Sequence, residues 1–260
     1  MVPANNGLDS IIFVHGLTGH RINTWMHANG TFTLSLLAAS IPNANIMTYG
    51  YNSAISKLSG LVSSNSLRAN GSNLAYAVAN QRRANPNSRP LTFIAHSLGG
   101  LIIEQALLIS RGSNELEISK LLHATTGILF MGTPHAGSDL AVWAHSFAQF
   151  YKLAGQTNTK LLKALQRQSE VLLGVEQDFQ LLLQSPAIKV KVFCVFEGLP
   201  VRGLGKIVSE ASAVMSQYPN ASIRANPMDM TKFWNAGDDG FKLVLNRLLG
   251  WMAREEEPSK

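Results

Sequence analysis

Six short runs rich in β-branched and aromatic residues, at 10–14, 46–49, 91–95, 127–131, 190–196 and 222–225, alternate with longer segments of helical periodicity. This alternation is the strongest constraint on the fold. Strands joined through helices run parallel, because a crossover needs a dozen or more residues and its helix must pack back onto the sheet. The helices expected between and after the strands span 31–40, 67–84, 98–110, 139–153, 158–184 and 240–254. The expected architecture is α/β: one domain over 1–260, with a mostly parallel sheet covered by helices on both faces. With 260 residues, 46% of them hydrophobic, the chain is long enough to bury a large core. The stretch Asn85-Pro86-Asn87-Ser88-Arg89-Pro90 is a turn before a strand, and no repeat or low-complexity linker interrupts the pattern.

Composition narrows the function classes. The net charge is +6 and the isoelectric point near 9.5, but Lys and Arg are scattered, with Arg82-Arg83 the sole adjacent basic pair. A solvated basic surface is the reading, and no nucleic-acid partner is expected. No apolar run approaches the roughly 20 residues of a membrane span, and 1–10 lacks the apolar core of a secretory signal. A cytoplasmic protein is the expectation, so the Asn-x-Ser/Thr triplets at Asn29, Asn70 and Asn220 carry no weight. The lone Cys194, inside an apolar run, reads as a buried core residue. The seven histidines show no metal-ligand spacing, and no phosphate-binding or dinucleotide fingerprint occurs, so no metal or cofactor is implied. The tail at 255–260 reads as frayed and solvated.

Two motifs carry chemistry. The run Ile94-Ala95-His96-Ser97-Leu98-Gly99-Gly100 is a strand turning sharply through a serine into a glycine-rich helix start. Small residues at 95 and 99 give the turn room to lift the Ser97 hydroxyl above the sheet, and the N–H of Leu98 then faces the place where an oxyanion would develop. Earlier, Ile11-Ile12-Phe13-Val14-His15-Gly16-Leu17-Thr18-Gly19-His20 is a strand followed by a His-Gly loop, whose expected contribution is the second oxyanion donor, the N–H of Leu17. His15 and His96 read as braces for these two turns.

The order of the chain then breaks a rule. A serine hydrolase on such a sheet takes its partners in the order Ser, Asp or Glu, His, yet no histidine follows His145. The residues left as substitute bases are His20 in the oxyanion loop, His135 after the strand 127–131, and Asp229. Each also has a structural reading: a loop hydrogen-bonder, a brace in a Gly-Thr-Pro-His turn, and a cap or surface carboxylate. Taken alone, Glu197 at a strand-to-loop junction reads equally as a triad acid or as a solvated edge residue.

The motifs His15-Gly16-Leu17-Thr18-Gly19-His20 with Thr24-Trp25, Met47-Thr48-Tyr49-Gly50-Tyr51, and Ala95-His96-Ser97-Leu98-Gly99-Gly100-Leu101 are part of a wider pattern. It continues through Phe130-Met131-Gly132-Thr133-Pro134-His135-Ala136-Gly137-Ser138-Asp139-Leu140, Phe196-Glu197-Gly198-Leu199-Pro200, Gly205-Lys206-Ile207-Val208 and Met230-Thr231-Lys232-Phe233. In this order they resemble the lipase-like serine esterases of the α/β-hydrolase superfamily, a type abundant in fungi and related to the inositol-deacylase branch. The resemblance covers nearly the whole chain. It implies the α/β-hydrolase fold with a helical cap over about 139–184, in which Trp143, Phe147, Phe150 and Tyr151 either roof a pocket or pack into the core. It implies Ser97 as nucleophile and Glu197 as triad acid. It also implies that Pro227, in Asn226-Pro227-Met228, stands where relatives carry the catalytic histidine.

Three functions remain open from the sequence. The first is ester, thioester or lactone hydrolysis, or acyl transfer, through Ser97 with a non-standard base. The second is a non-hydrolytic cyclisation, condensation or rearrangement that uses the oxyanion donors alone, on a polyketide-like or other apolar small molecule. The third is an inactive binding module.

Overall fold

The computed structural model describes residues 9–16, 19–51, 64–83, 89–135, 169–199, 215 and 217–253. Six strands form one sheet in the order β2-β1-β3-β4-β5-β6. They are β1 Ser10–Val14, β2 Asn45–Tyr49, β3 Leu91–His96, β4 Thr125–Met131, β5 Lys191–Glu197 and β6 Asn220–Ile223. Every neighbouring pair is parallel. The described helices are α1 Thr33–Ser40, α2 Ser64–Arg83, α3 Gly99–Arg111, α4 Leu116–Ala124, α5 Ser169–Leu183 and α6 Asp239–Met252.

Strand alternation sorts the core into two layers. Ile12, Val14, Phe93, Ala95, Ile128, Phe130, Val192 and Cys194 face α2, α3, α4 and α5. Ile11, Phe13, Ile94, Leu129, Met131, Phe193 and Val195 face the opposite layer, with α1, α6, Trp25 and Phe233. Helix α3 is buried at nine positions, from Gly99 to Ser110, because it sits between the sheet and other helices rather than on the surface. Cys194 is buried in the first layer, as expected of a core thiol.

Two local expectations are corrected. The last strand lies at Asn220–Ile223 rather than 222–225, because Ala225 N–H turns back to Ile223 O at 2.7 Å and leaves the ladder. Helix α4 was not expected. It is only nine residues long and follows the polar Ser113-Asn114-Glu115, yet it buries Ile118, Leu121 and Leu122 on one face. Of the expected cap, α5 is described; 139–168, with Trp143, Phe147, Phe150 and Tyr151, lie outside the described residues. Among the described residues no helix is long and apolar enough to cross a membrane.

The register brings Val14, Ala95, Phe130 and Cys194 side by side across the sheet. The segments leaving the carboxyl ends of β1, β3, β4, β5 and β6 therefore start from one edge, where parallel α/β sheets bind ligands.

Candidate active site

Ser97 follows the last residue of β3 with φ at +53°, the sole non-glycine residue with positive φ among the described residues. The turn is held from both sides. Ser97 N–H donates to Met131 O at 2.9 Å, and Ser97 O accepts from Thr133 Oγ1 at 3.0 Å and from Gly100 N–H at 3.1 Å. Leu98 then leads into α3, whose first N–H groups have no helical acceptor.

The glycines here are dictated by close approach. A Cβ at Gly99 would lie 2.5 Å from Val14 O and 2.6 Å from His15 O, and one at Gly16 would lie 2.6 Å from Ser97 Cβ and 3.1 Å from its Oγ. The loop after β1 thus rests directly against the serine. Leu17, the expected second oxyanion donor, lies outside the described residues.

His15 braces this loop. Its Nδ1–H donates to Gly16 O at 3.0 Å, its Nε2 accepts from Tyr51 N–H at 3.4 Å, and its ring stacks on Tyr51 at 4.4 Å. Tyr51 OH closes the arrangement on His15 O at 2.9 Å. Burial lowers the His15 pKa, with the Gly16 bond opposing, so the imidazole is the neutral form that this donor–acceptor pattern requires.

His96 faces the other layer, edge-on to Trp25. Its Nε2–H donates to Pro227 O at 2.9 Å. Burial, opposed by that bond and reinforced by Lys232 and His15, lowers its pKa to about 4. A neutral imidazole so committed is a tether between the nucleophile turn and the segment after β6. That segment is a tight Asx-type turn: Asn226 Oδ1 accepts from Met228 N–H at 2.9 Å and Asp229 N–H at 3.2 Å. Thr231 Oγ1 donates to Thr24 O at 2.6 Å and Thr33 Oγ1 to Thr231 O at 3.0 Å, fixing the turn on Trp25's loop and α1. Pro227 itself is buried.

Glu197 ends β5 beside Ile223 of β6 and is fully buried, so it is not a solvated edge residue. Gly198 N–H donates to Ile223 O at 2.7 Å, joining the chain after Glu197 to the strand that leads into the Pro227 turn.

The three candidate bases point elsewhere. His20 is exposed, and its Nδ1 accepts from Ile22 N–H at 3.2 Å. Asp229 is engaged by Asn226 Nδ2 at 2.9 Å and Lys232 Nζ at 3.3 Å. His135 is buried edge-on against Phe130, with Nδ1 at 3.4 Å from Glu104 Oε1. Ser97 Oγ is buried and makes no hydrogen bond among the described residues. The arrangement offers a strained, positioned hydroxyl beside a helix N-terminus, with no base in contact among the described residues. Glu104 and Glu176, both buried, were missed from sequence; a lone carboxylate between Ile103 and Ala106 in an apolar helix was the available signal.

The family described as Putative serine esterase (DUF676) matches residues 5–173. Protein SERAC1 of Danio rerio is 28% identical over 204 residues, covering 70% of this chain and 30% of that protein. The Homo sapiens protein of that name is 27% identical over 188 residues, covering 65% and 27%. The match thus spans less than a third of either relative's length. Among solved structures, the phospholipase PlaB of Legionella pneumophila superposes with TM-score 0.51 at 18% identity, over 78% of this chain and 41% of that one. A Pyrococcus furiosus esterase superposes with TM-score 0.50 at 12% identity, over 96% and 84%. At such identities the likeness is one of fold, and the fold is that of the α/β-hydrolases.

Proposed function

The chain belongs to the DUF676 serine esterase family, and from that membership we propose that it performs acyl chemistry at Ser97 on an apolar small-molecule substrate. The family and the fold support a hydrolase-like acyl function; the finer assignment is hydrolysis of an ester, thioester or lactone, or acyl transfer. The observation that carries it is the strained Ser97 turn, with Gly16 packed against the hydroxyl and α3 beginning one residue beyond Leu98. Residues held in a left-handed conformation cluster at functional sites, and an inert relative need not keep such a turn.

In this reading Ser97 Oγ attacks the substrate carbonyl as its proton passes to water, and the N–H groups of Leu98 and Leu17 receive the oxyanion. Collapse of the tetrahedral intermediate breaks the bond to the leaving alcohol or thiol, which takes up a proton, and water or an acceptor alcohol then removes the acyl group from Ser97. Glu197 is the triad acid and Pro227 stands in the vacated histidine position. Two observations support that pairing: Glu197 is buried on the strand next to β6, and the Pro227 carbonyl is hydrogen-bonded to the residue preceding Ser97. Loss of the base histidine in a serine triad costs roughly a millionfold in turnover, and about a thousandfold over water remains from the oxyanion hole and binding. Slow acylation of activated substrates is the expected behaviour. Labelling by a fluorophosphonate probe that vanishes in Ser97→Ala supports the proposal; no labelling of the unaltered protein overturns it.

A second reading is favoured by one specific observation. Ser97 Oγ has no hydrogen-bond partner among the described residues, His20 and Asp229 are hydrogen-bonded to their own loops, and His135 is buried between Phe130 and Glu104. The oxyanion donors alone can stabilise an enolate or alkoxide, giving cyclisation, condensation or rearrangement of a polyketide-like substrate. Turnover that survives Ser97→Ala, with no trapped acyl-enzyme, separates this reading from the first.

A further inference from the structure

The hydroxyl of Ser97 has no hydrogen-bond partner among the described residues, yet its carbonyl has two. Gly100 N–H reaches that carbonyl at 3.1 Å from within the first turn of α3. Thr133 Oγ1 reaches it at 3.0 Å from the segment after β4. The chain is shaped to deliver this second bond. Just past β4, Gly132 takes φ +60° and gives its N–H to Val195 O at 2.8 Å, which turns the chain so that Thr133 meets the elbow. Thr133 is fully buried there, and a Cβ at Gly100 would collide with both its Cγ2 and its Oγ1. Two residues earlier, Met131 O receives Ser97 N–H at 2.9 Å. Both backbone groups of Ser97 are therefore clamped to one stretch, Met131 to Thr133.

The Ser97–Leu98 peptide is trans, as are all those of the described residues, so its N–H points opposite to its C=O within one rigid plane. Whatever fixes the Ser97 carbonyl also fixes the direction of Leu98 N–H. We propose that Thr133 is a positioning residue for the oxyanion donor: its hydroxyl anchors the Ser97 carbonyl and thereby aims Leu98 N–H at the oxygen of the tetrahedral intermediate. This rests on the acyl reading of Ser97. Gly100 N–H belongs to the same turn as the donor and moves with it, whereas Thr133 ties the donor to the end of β4 and hence to the sheet. Oxyanion donors act by being aimed before the charge develops, so an external anchor is what the reaction needs.

Labelling of the whole chain by a fluorophosphonate probe tests this role. Ser97 Oγ bonds to phosphorus as the P–F bond breaks, fluoride and the hydroxyl proton pass to water, and the phosphoryl oxygen takes the place of the oxyanion. Rates measured against probe concentration separate the saturated labelling rate from the half-saturating concentration. Thr133→Ala and Thr133→Ser both lose the methyl and differ by the hydroxyl alone. Thr133→Ala should label about tenfold more slowly at saturation, less than the roughly hundredfold cost of deleting a donor outright, with its half-saturating concentration unchanged. Thr133→Ser should recover most of that rate. A role in stability alone would lower the melting temperature and leave the saturated rate, measured well below it, in place.

An unchanged saturated rate in Thr133→Ala, a loss confined to the half-saturating concentration, or an equal loss in Thr133→Ser would each overturn the positioning role while leaving the chemistry of Ser97 standing. No labelling of the unaltered protein overturns the acyl reading and this inference with it. Should Thr133→Ala fail to fold, Thr133→Val, which keeps the volume and removes the hydroxyl, is judged by the same two quantities.

Discussion

Ser97 is held at φ +53°, a conformation that costs a non-glycine residue roughly 1–2 kcal/mol. The surrounding contacts over-determine it: Met131 O takes its N–H, Thr133 Oγ1 and Gly100 N–H take its carbonyl, and Gly16 leaves no room for retreat. His96 adds a tether across 131 residues of sequence, to the carbonyl of Pro227. Because that tether uses the backbone of position 227, a histidine placed there can keep the His96 bond while its ring supplies the missing base. Pro227→His is therefore expected to raise kcat/KM on short activated esters at least a hundredfold. This is well below the roughly millionfold worth of a base in an evolved triad, since an imperfectly aligned group forfeits much of its effect. Steady-state kinetics on p-nitrophenyl esters reads the outcome, and no gain would show that 227 is not the vacated base position.

Elements here owe their stability to different sources. Helix α3 is capped by no side chain and lives by burial between sheet and helices. Helix α6 is more exposed and depends on its start, where Asp238 Oδ1 accepts from Gly240 N–H at 2.8 Å and Phe241 N–H at 3.2 Å. Asp238→Ala is expected to destabilise the protein by about 1 kcal/mol through loss of this cap, with the acid-side loss of a helix-dipole contact included. Urea unfolding should show a lower midpoint with an unchanged slope. Helix α4 marks the limit of periodicity as a guide, because two turns with three buried residues look much like a loop until a neighbour covers them.

At the scale of the whole molecule, the sheet is stabilised from its centre outward. Strands β1, β3, β4 and most of β5 are buried on both faces, whereas every residue of edge strand β2 is partly exposed. Hydrogen exchange should accordingly release β2 first and the central three strands last; equal protection of β2 and β3 would contradict this layering. The sequence by itself determined the parallel α/β sheet and the elbow. Alternating runs and crossover helices admit few other arrangements, and a strand, a serine and two glycines in a row are local features. It also determined that no histidine is available after His145. Only the tertiary structure decided that Gly16 abuts Ser97, that Glu197 is buried, that His96 binds the Pro227 carbonyl, and that Glu104 lies beside His135. The physical reason is that periodicity tells which face of an element turns inward, but a buried polar group's partner is set by where distant elements cross. A carboxyl or imidazole takes its charge state from that crossing, not from its neighbours in the chain.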